Sequence, residues 1–159
     1  MPDDATPGVS DNRFEFTNFF HGHTKGWGVF DDRFGRLRRR FEVEMHGSWQ
    51  QDMFVLDEHL KYGDGGYEQR TWRVKSMPEG RFEATCPECI GTAQGECLSD
   101  TIRMSYAFRL RLPTRVLAVT FDDRIYRMSS RTAVNRATMR KWGIRLGELA
   151  LFFEKQPAP

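Results

Sequence analysis

From Gly26 onward the chain alternates apolar and polar residues with a period of two, the mark of strands that bury one face. Thr101–Leu112 is the cleanest case, with Ile102, Met104, Tyr106, Phe108, Leu110 and Leu112 alternating with Arg103, Ser105, Ala107, Arg109 and Arg111. Arg36–Met45 places Leu37, Phe41, Val43 and Met45 on one face, and Met53–Tyr62 places Phe54, Leu56, Leu60 and Tyr62. Arg115–Met128 does the same with Leu117, Val119, Phe121 and Ile125. Gly26–Asp31, Tyr67–Lys75, Arg81–Thr85, Thr132–Met139 and Ile144–Lys155 bring the total to about nine predicted strands. Short turns join them, Gly63-Asp64-Gly65-Gly66 being a strong hairpin signal and Pro78-Glu79-Gly80 a second turn. Ahead of the strands, Phe14–Phe20 is rich in phenylalanine and is read as a helical turn that plugs one end of a barrel.

Many short strands, tight connections and no long amphipathic helix predict an all-β fold. The consecutive order favours an antiparallel up-and-down barrel of about 8–10 strands, a size that can hold one small ligand. Residues 1–13 read as a loose tail and 14–155 as a single barrel domain.

The pattern is broken where charges occupy apolar-face positions. Glu58 follows Phe54 and Leu56 at spacing two, Arg70 precedes Trp72 and Val74, and Asp123 sits between Phe121 and Ile125. A charge inside a core is costly unless it is paired or hydrogen-bonded. Counting back from the Gly63–Gly66 turn places residue 58 opposite 70 or 71, so a Glu58–Arg70 ion pair is expected. Asp123 is a second acceptor for Arg70 or a partner for Arg136. Two uses follow: a structural salt-bridge network, or polar anchors of a ligand cavity, with Trp72, Tyr106 and Arg136 joining Glu58, Arg70 and Asp123 as ligand-binding candidates. Neither Asp31-Asp32 nor Asp122-Asp123 can be an acid–base pair by itself, because neighbours on a strand point to opposite faces. Glu58 and Asp123 could form one across the barrel.

Composition narrows the classes. Aromatics make up 13% of the chain, which suits a strand-rich interior. The net charge of +2, from 24 basic and 22 acidic residues, gives no ground for a nucleic-acid partner. The run Arg36–Arg40 reads as a solvated strand face, with an anionic partner as the alternative. No apolar leader opens the sequence and no segment reaches the length of a membrane helix, so no membrane insertion and a cytoplasmic location are expected. Cys86, Cys89 and Cys97 are read as free thiols in a loop, since the count is odd and a structural zinc site usually needs four ligands. His21-Gly22-His23 is a weak metal signal, His59 faces outward, and His46 is placed at a turn. No metal or other cofactor is expected. Trp27, Trp49, Trp72 and Trp142 are read as barrel core. No P-loop, dinucleotide fingerprint, nucleophile elbow or zinc-protease motif occurs.

The segment Trp27-Gly28-Val29-Phe30-Asp31-Asp32-Arg33-Phe34-Gly35 with Arg39-Arg40-Phe41 resembles the start of domain-of-unknown-function family 3833, an uncharacterised bacterial family. Leu56-Asp57-Glu58, Asp64-Gly65, Arg70-Thr71-Trp72-Arg73, Phe121-Asp122-Asp123-Arg124, Asn135-Arg136 and Lys141-Trp142-Gly143-Ile144-Arg145-Leu146-Gly147-Glu148 fit the same pattern. The resemblance covers residues 14–154 and implies a lipocalin-like (calycin) barrel with no established activity. Many members of that family look like lipoproteins lipidated on an N-terminal cysteine. This chain has no such cysteine, so anchoring is not carried over. The expected function is binding of a small, largely apolar molecule inside the barrel. The alternatives are an enzyme of hydratase or isomerase type using a barrel carboxylate, and a stable module with a filled core.

Overall fold

The computed structural model describes residues 13–158. A one-turn helix, α1 (Phe16–Phe19), precedes ten strands. They are β1 (Gly22–Asp32), β2 (Leu37–Gln50), β3 (Met53–Tyr62), β4 (Tyr67–Ser76), β5 (Arg81–Thr85), β6 (Cys89–Cys97), β7 (Thr101–Arg111), β8 (Val116–Arg127), β9 (Thr132–Lys141) and β10 (Ile144–Lys155). Each strand pairs antiparallel with the next, and β10 returns to β1 through a ladder from Thr24↔Lys155 to Asp32↔Gly147. The result is the expected closed up-and-down barrel, and closure leaves no free edge. The expected tail lies outside the described residues except for Arg13.

The alternation read from the sequence is the inside–outside alternation of the wall. Val43, Met45, Phe54, Leu56, Val74, Phe82, Ile102, Met104, Phe108, Val119 and Ile125 are all buried. At one end α1 forms the expected plug. Phe14, Phe16, Phe19 and Phe20 are buried there, with Phe16 5.0 Å from Phe82 and Phe20 5.1 Å from Phe153, ring centre to ring centre. Lys155 ties the last strand to the plug by donating to the carbonyls of Phe19 and His21. Each buried phenylalanine contributes about 1.5–3 kcal/mol, so the plug is a large part of this end's stability.

Gly47 makes the close approach of plug to wall possible. A Cβ there would overlap the Phe20 carbonyl oxygen. Gly47→Ala is therefore expected to lift α1 from the barrel end. Thermal melts should show a clear loss of stability, and an unchanged melting temperature would mean that the plug is not seated on β2.

Several expectations are corrected. Cys86 lies in the expected turn, but Cys89–Cys97 is a strand, β6, rather than a loop, with Cys89 and Cys97 buried at its two ends. Its alternation is hidden because its inward residues are small and its pairing with β7 shifts register between Ile90 and Gln94. The strand predicted over Arg36–Met45 runs on to Gln50, so His46 lies within β2 and not at a turn, while Leu37 is exposed. Of the four tryptophans only Trp72 is core; Trp27, Trp49 and Trp142 are exposed, the last at 87%.

Candidate functional site

The inward face opens into a cavity of about 520 Å³. It extends from Phe16 and Phe20 at the plug to Arg38, Arg39 and Leu112 at the opposite end. Most of its wall is apolar, with Val43, Met45, Leu60, Met104, Ile125 and Leu151 among the lining side chains.

Two polar groups interrupt that wall. The first is centred on Arg70. The β3–β4 register places Glu58 directly opposite Arg70, as the turn count predicts. The Arg70 guanidinium donates to Glu58 Oε1 at 3.5 Å, to Glu68 Oε1 at 3.1 Å and to Glu88 Oε1 at 3.3 Å, and it lies over the Phe108 ring at 4.9 Å. Burial opposes the guanidinium charge, but the charges of Glu58, Glu88 and Glu68 outweigh it and push the Arg70 pKa further up. Burial likewise raises Glu58, and here Arg70 and the Trp72 indole only partly offset it. The network continues outward, since Tyr62 donates to Glu68 at 2.9 Å, Arg39 stacks over the Tyr62 ring at 3.4 Å and Arg39 pairs with Asp64 of the rim turn at 3.1 Å.

The second group is centred on Asp123. Its carboxylate accepts from Tyr106 Oη at 3.2 Å and from Asn135 Nδ2 at 3.4 Å. Burial pushes Asp123 up to about 7, against the Asn135 and Tyr106 hydrogen bonds, and the Glu58 charge adds to the rise. Tyr106 is itself raised by burial and by Asp123. Its ring packs 5.3 Å from Trp72 and stacks 5.4 Å from Phe121.

Glu58, Arg70, Trp72, Tyr106 and Asp123 thus all line one cavity. Arg136 does not. It points outward from β9 and donates to Glu148 Oε1 at 3.2 Å. Its strand parity shows why, because Ala133, Asn135, Ala137 and Met139 are the buried set. Asn135 therefore takes the place beside Asp123 that sequence reasoning assigned to Arg136 or Arg70. Its inward parity was a signal that could have been read. Glu68 and Glu88 were also missed. Glu88 sits between Cys86 and Cys89 in the β5–β6 turn, and the β4–β5 register, which pairs Arg73 with Thr85, carries that turn to Arg70.

The thiols of Cys86 and Cys89 are free and lie 3.0 Å apart. The hydrogen bond between them raises Cys86 and lowers Cys89. Among the described residues no helix is long and apolar enough to cross a membrane.

No curated protein matches the chain in sequence. Solved structures do resemble it in fold. The S-type phycobiliprotein lyase from Guillardia theta superimposes with a TM-score of 0.67 at 6% identity, over 91% of this chain and 92% of that one. The protein Rv2717c from M. tuberculosis superimposes with a TM-score of 0.61 at 17% identity, over 97% of this chain and 100% of that one. At such identities the likeness concerns the lipocalin-like barrel alone. Residues 6–155 match the family described as protein of unknown function (DUF3833), and the chain belongs to that family.

Proposed function

We propose that the barrel binds one small, largely apolar molecule, with Arg70, Glu58 and Asp123 as its polar contacts and Trp72 and Tyr106 as its aromatic wall. The observation that carries this reading is the cavity. Its volume of about 520 Å³ falls within the range of small-molecule sites, and its lining is mostly apolar with a few convergent polar groups. A module acting only through its surface would have those positions filled by side chains. The shared barrel with a phycobiliprotein lyase is compatible with an interior ligand, but the cavity is the argument.

Native mass spectrometry of freshly purified protein should show a co-purified small molecule or, after stripping, saturable binding of the fluorescent probe anilinonaphthalene sulfonate. Leu60→Trp, which places an indole in the cavity, should abolish either signal while the barrel stays folded by circular dichroism. Probe binding unaffected by Leu60→Trp would place it on the outside and remove this reading.

One observation favours a second reading, an enzyme of hydratase or isomerase type. Asp123 lines the cavity within hydrogen-bond distance of Tyr106, and burial pushes its carboxyl up to about 7, as suits a general acid–base group. The two readings separate at Asp123→Asn. A binder loses affinity with this polar contact and has no turnover to lose, whereas an enzyme keeps most of its affinity and loses turnover.

A further inference from the structure

On the outer wall, far in character from the apolar interior, three ligand-type side chains converge across the seam of β1 and β2. His23 stands directly opposite His46 in the β1–β2 register. Glu44 precedes His46 by two residues and so shares its outward face. One donor atom from each of the three lies within 4.8 Å of the other two. His23 Nε2 is 2.7 Å from Glu44 Oε1, and the His23 and His46 rings stack at 4.5 Å with 11° between their planes. A third imidazole stands beside them. His59 lies opposite Glu44 on β3, with its ring 6.5 Å from that of His46. Three of the chain's four histidines are therefore gathered on one patch of the outer wall, although they are far apart in sequence.

We propose that His23, Glu44 and His46 form a surface site for a borderline divalent transition-metal ion, with zinc as the reference ion. Two imidazole nitrogens and one carboxylate oxygen suit zinc, nickel or copper, whereas magnesium and calcium prefer all-oxygen sets. The spacing also fits. Donors bonded to one tetrahedral zinc at about 2.0–2.1 Å stand about 3.3 Å apart. The His23–Glu44 pair needs only to open by about 0.6 Å around an ion that replaces their shared proton. His46 must swing inward, and as an exposed side chain it is free to do so. The backbone beneath is fixed by two paired strands of a closed barrel, so the three Cα positions are set before any ion arrives. A plain His23–Glu44 ion pair would account for two of these residues. It gives no role to a second imidazole stacked on the first.

Isothermal titration of zinc chloride into the full chain tests the site. The expected result is saturable binding of about one equivalent. His23→Gln, Glu44→Gln and His46→Gln should each weaken it by about tenfold or more, the loss of a direct ligand costing at least what outer-shell changes cost. All three lie on the outer wall, and circular dichroism should show each variant folded. His21→Gln and the pair Cys86→Ser with Cys89→Ser should leave binding intact. No saturable binding up to about 1 mM, a free energy of only about 4 kcal/mol, overturns the proposal. So does binding that survives His23→Gln and His46→Gln together, or that disappears with His21 or with the cysteines.

Discussion

Arg70→Ala is expected to destabilise the barrel by about 3–5 kcal/mol, the cost of leaving buried charge unpaired. Glu58→Ala should cost distinctly less, about 1–2 kcal/mol. The asymmetry comes from counting partners. Arg70 is the cation shared by Glu58, Glu68 and Glu88, and its side chain is only 13% exposed. Removing it leaves Glu58 and Glu88, themselves 16% and 20% exposed, facing each other without a counter-charge. Removing Glu58 leaves Arg70 with two carboxylates still in reach and relieves a carboxyl that burial already disfavours as an anion. The double variant should cost less than the sum of the two, because the second change removes a charge that the first has stranded. Stranded carboxylates can also escape their penalty by taking up protons. The cost of Arg70→Ala should accordingly shrink as pH falls through the carboxylate range. Denaturant titrations of wild type, the two single variants and the double variant, each at neutral and acidic pH, would measure this. Equal costs for the two single changes, or strict additivity, would mean that Arg70 does not organise the cluster.

That network also marks how far the sequence could be read. The barrel was legible because alternation is uninterrupted over β7 and broken over β8 only by Asp123, and because every connection is short enough to force antiparallel neighbours. The Glu58–Arg70 pair was legible for the same reason, since one hairpin turn fixes its register. Contacts set by less regular connections were not. Arg81–Thr85 was legible as the strand it is, but Glu88 lies beyond it, in the turn that the β4–β5 register carries to Arg70. β6 is rich in small residues, so nothing local announced its place in the wall. The His23–Glu44–His46 group shows the same limit on the outside. Glu44 and His46 declare a shared face by their spacing, but His23 joins them only through the β1–β2 register. Arg136 was misplaced for a different reason. It was matched to Asp123 by charge, while the parity of β9 puts Asn135 inside and Arg136 in solvent. Charge complementarity suggested a partner, and the strand's alternation decided against it.

Asp123→Asn is expected to stabilise the protein at about pH 8 and to leave its stability nearly unchanged at about pH 4. Burial lifts Asp123 from its ordinary 3.8 to about 7 in the folded barrel. The folded state therefore holds a proton that the unfolded chain gives up at much lower pH. The stability carried by that proton is fully present below about 3.8 and is lost as pH rises through about 7. Above that, the barrel keeps an ionised carboxylate at a nearly dry position, 9% exposed, where Tyr106 and Asn135 donate to it. At about 1.4 kcal/mol for each tenfold change in proton affinity, the penalty reaches at most about 4 kcal/mol, and relaxation around the site would lower it to about half. An asparagine at 123 removes the penalty and keeps an amide oxygen for the same two donors. Groups common to both proteins cancel when the two stability–pH curves are subtracted. The difference curve should rise between about pH 4 and pH 7 and level off above. A flat difference curve, or a variant less stable than wild type at the alkaline end, would show that Asp123 is ionised throughout and held by a stronger partner than Asn135. Its place as the polar contact at the β7–β8–β9 wall would then have to be argued from a fixed negative charge. A group that changes protonation near neutrality, by contrast, can either donate to a bound molecule or accept from it.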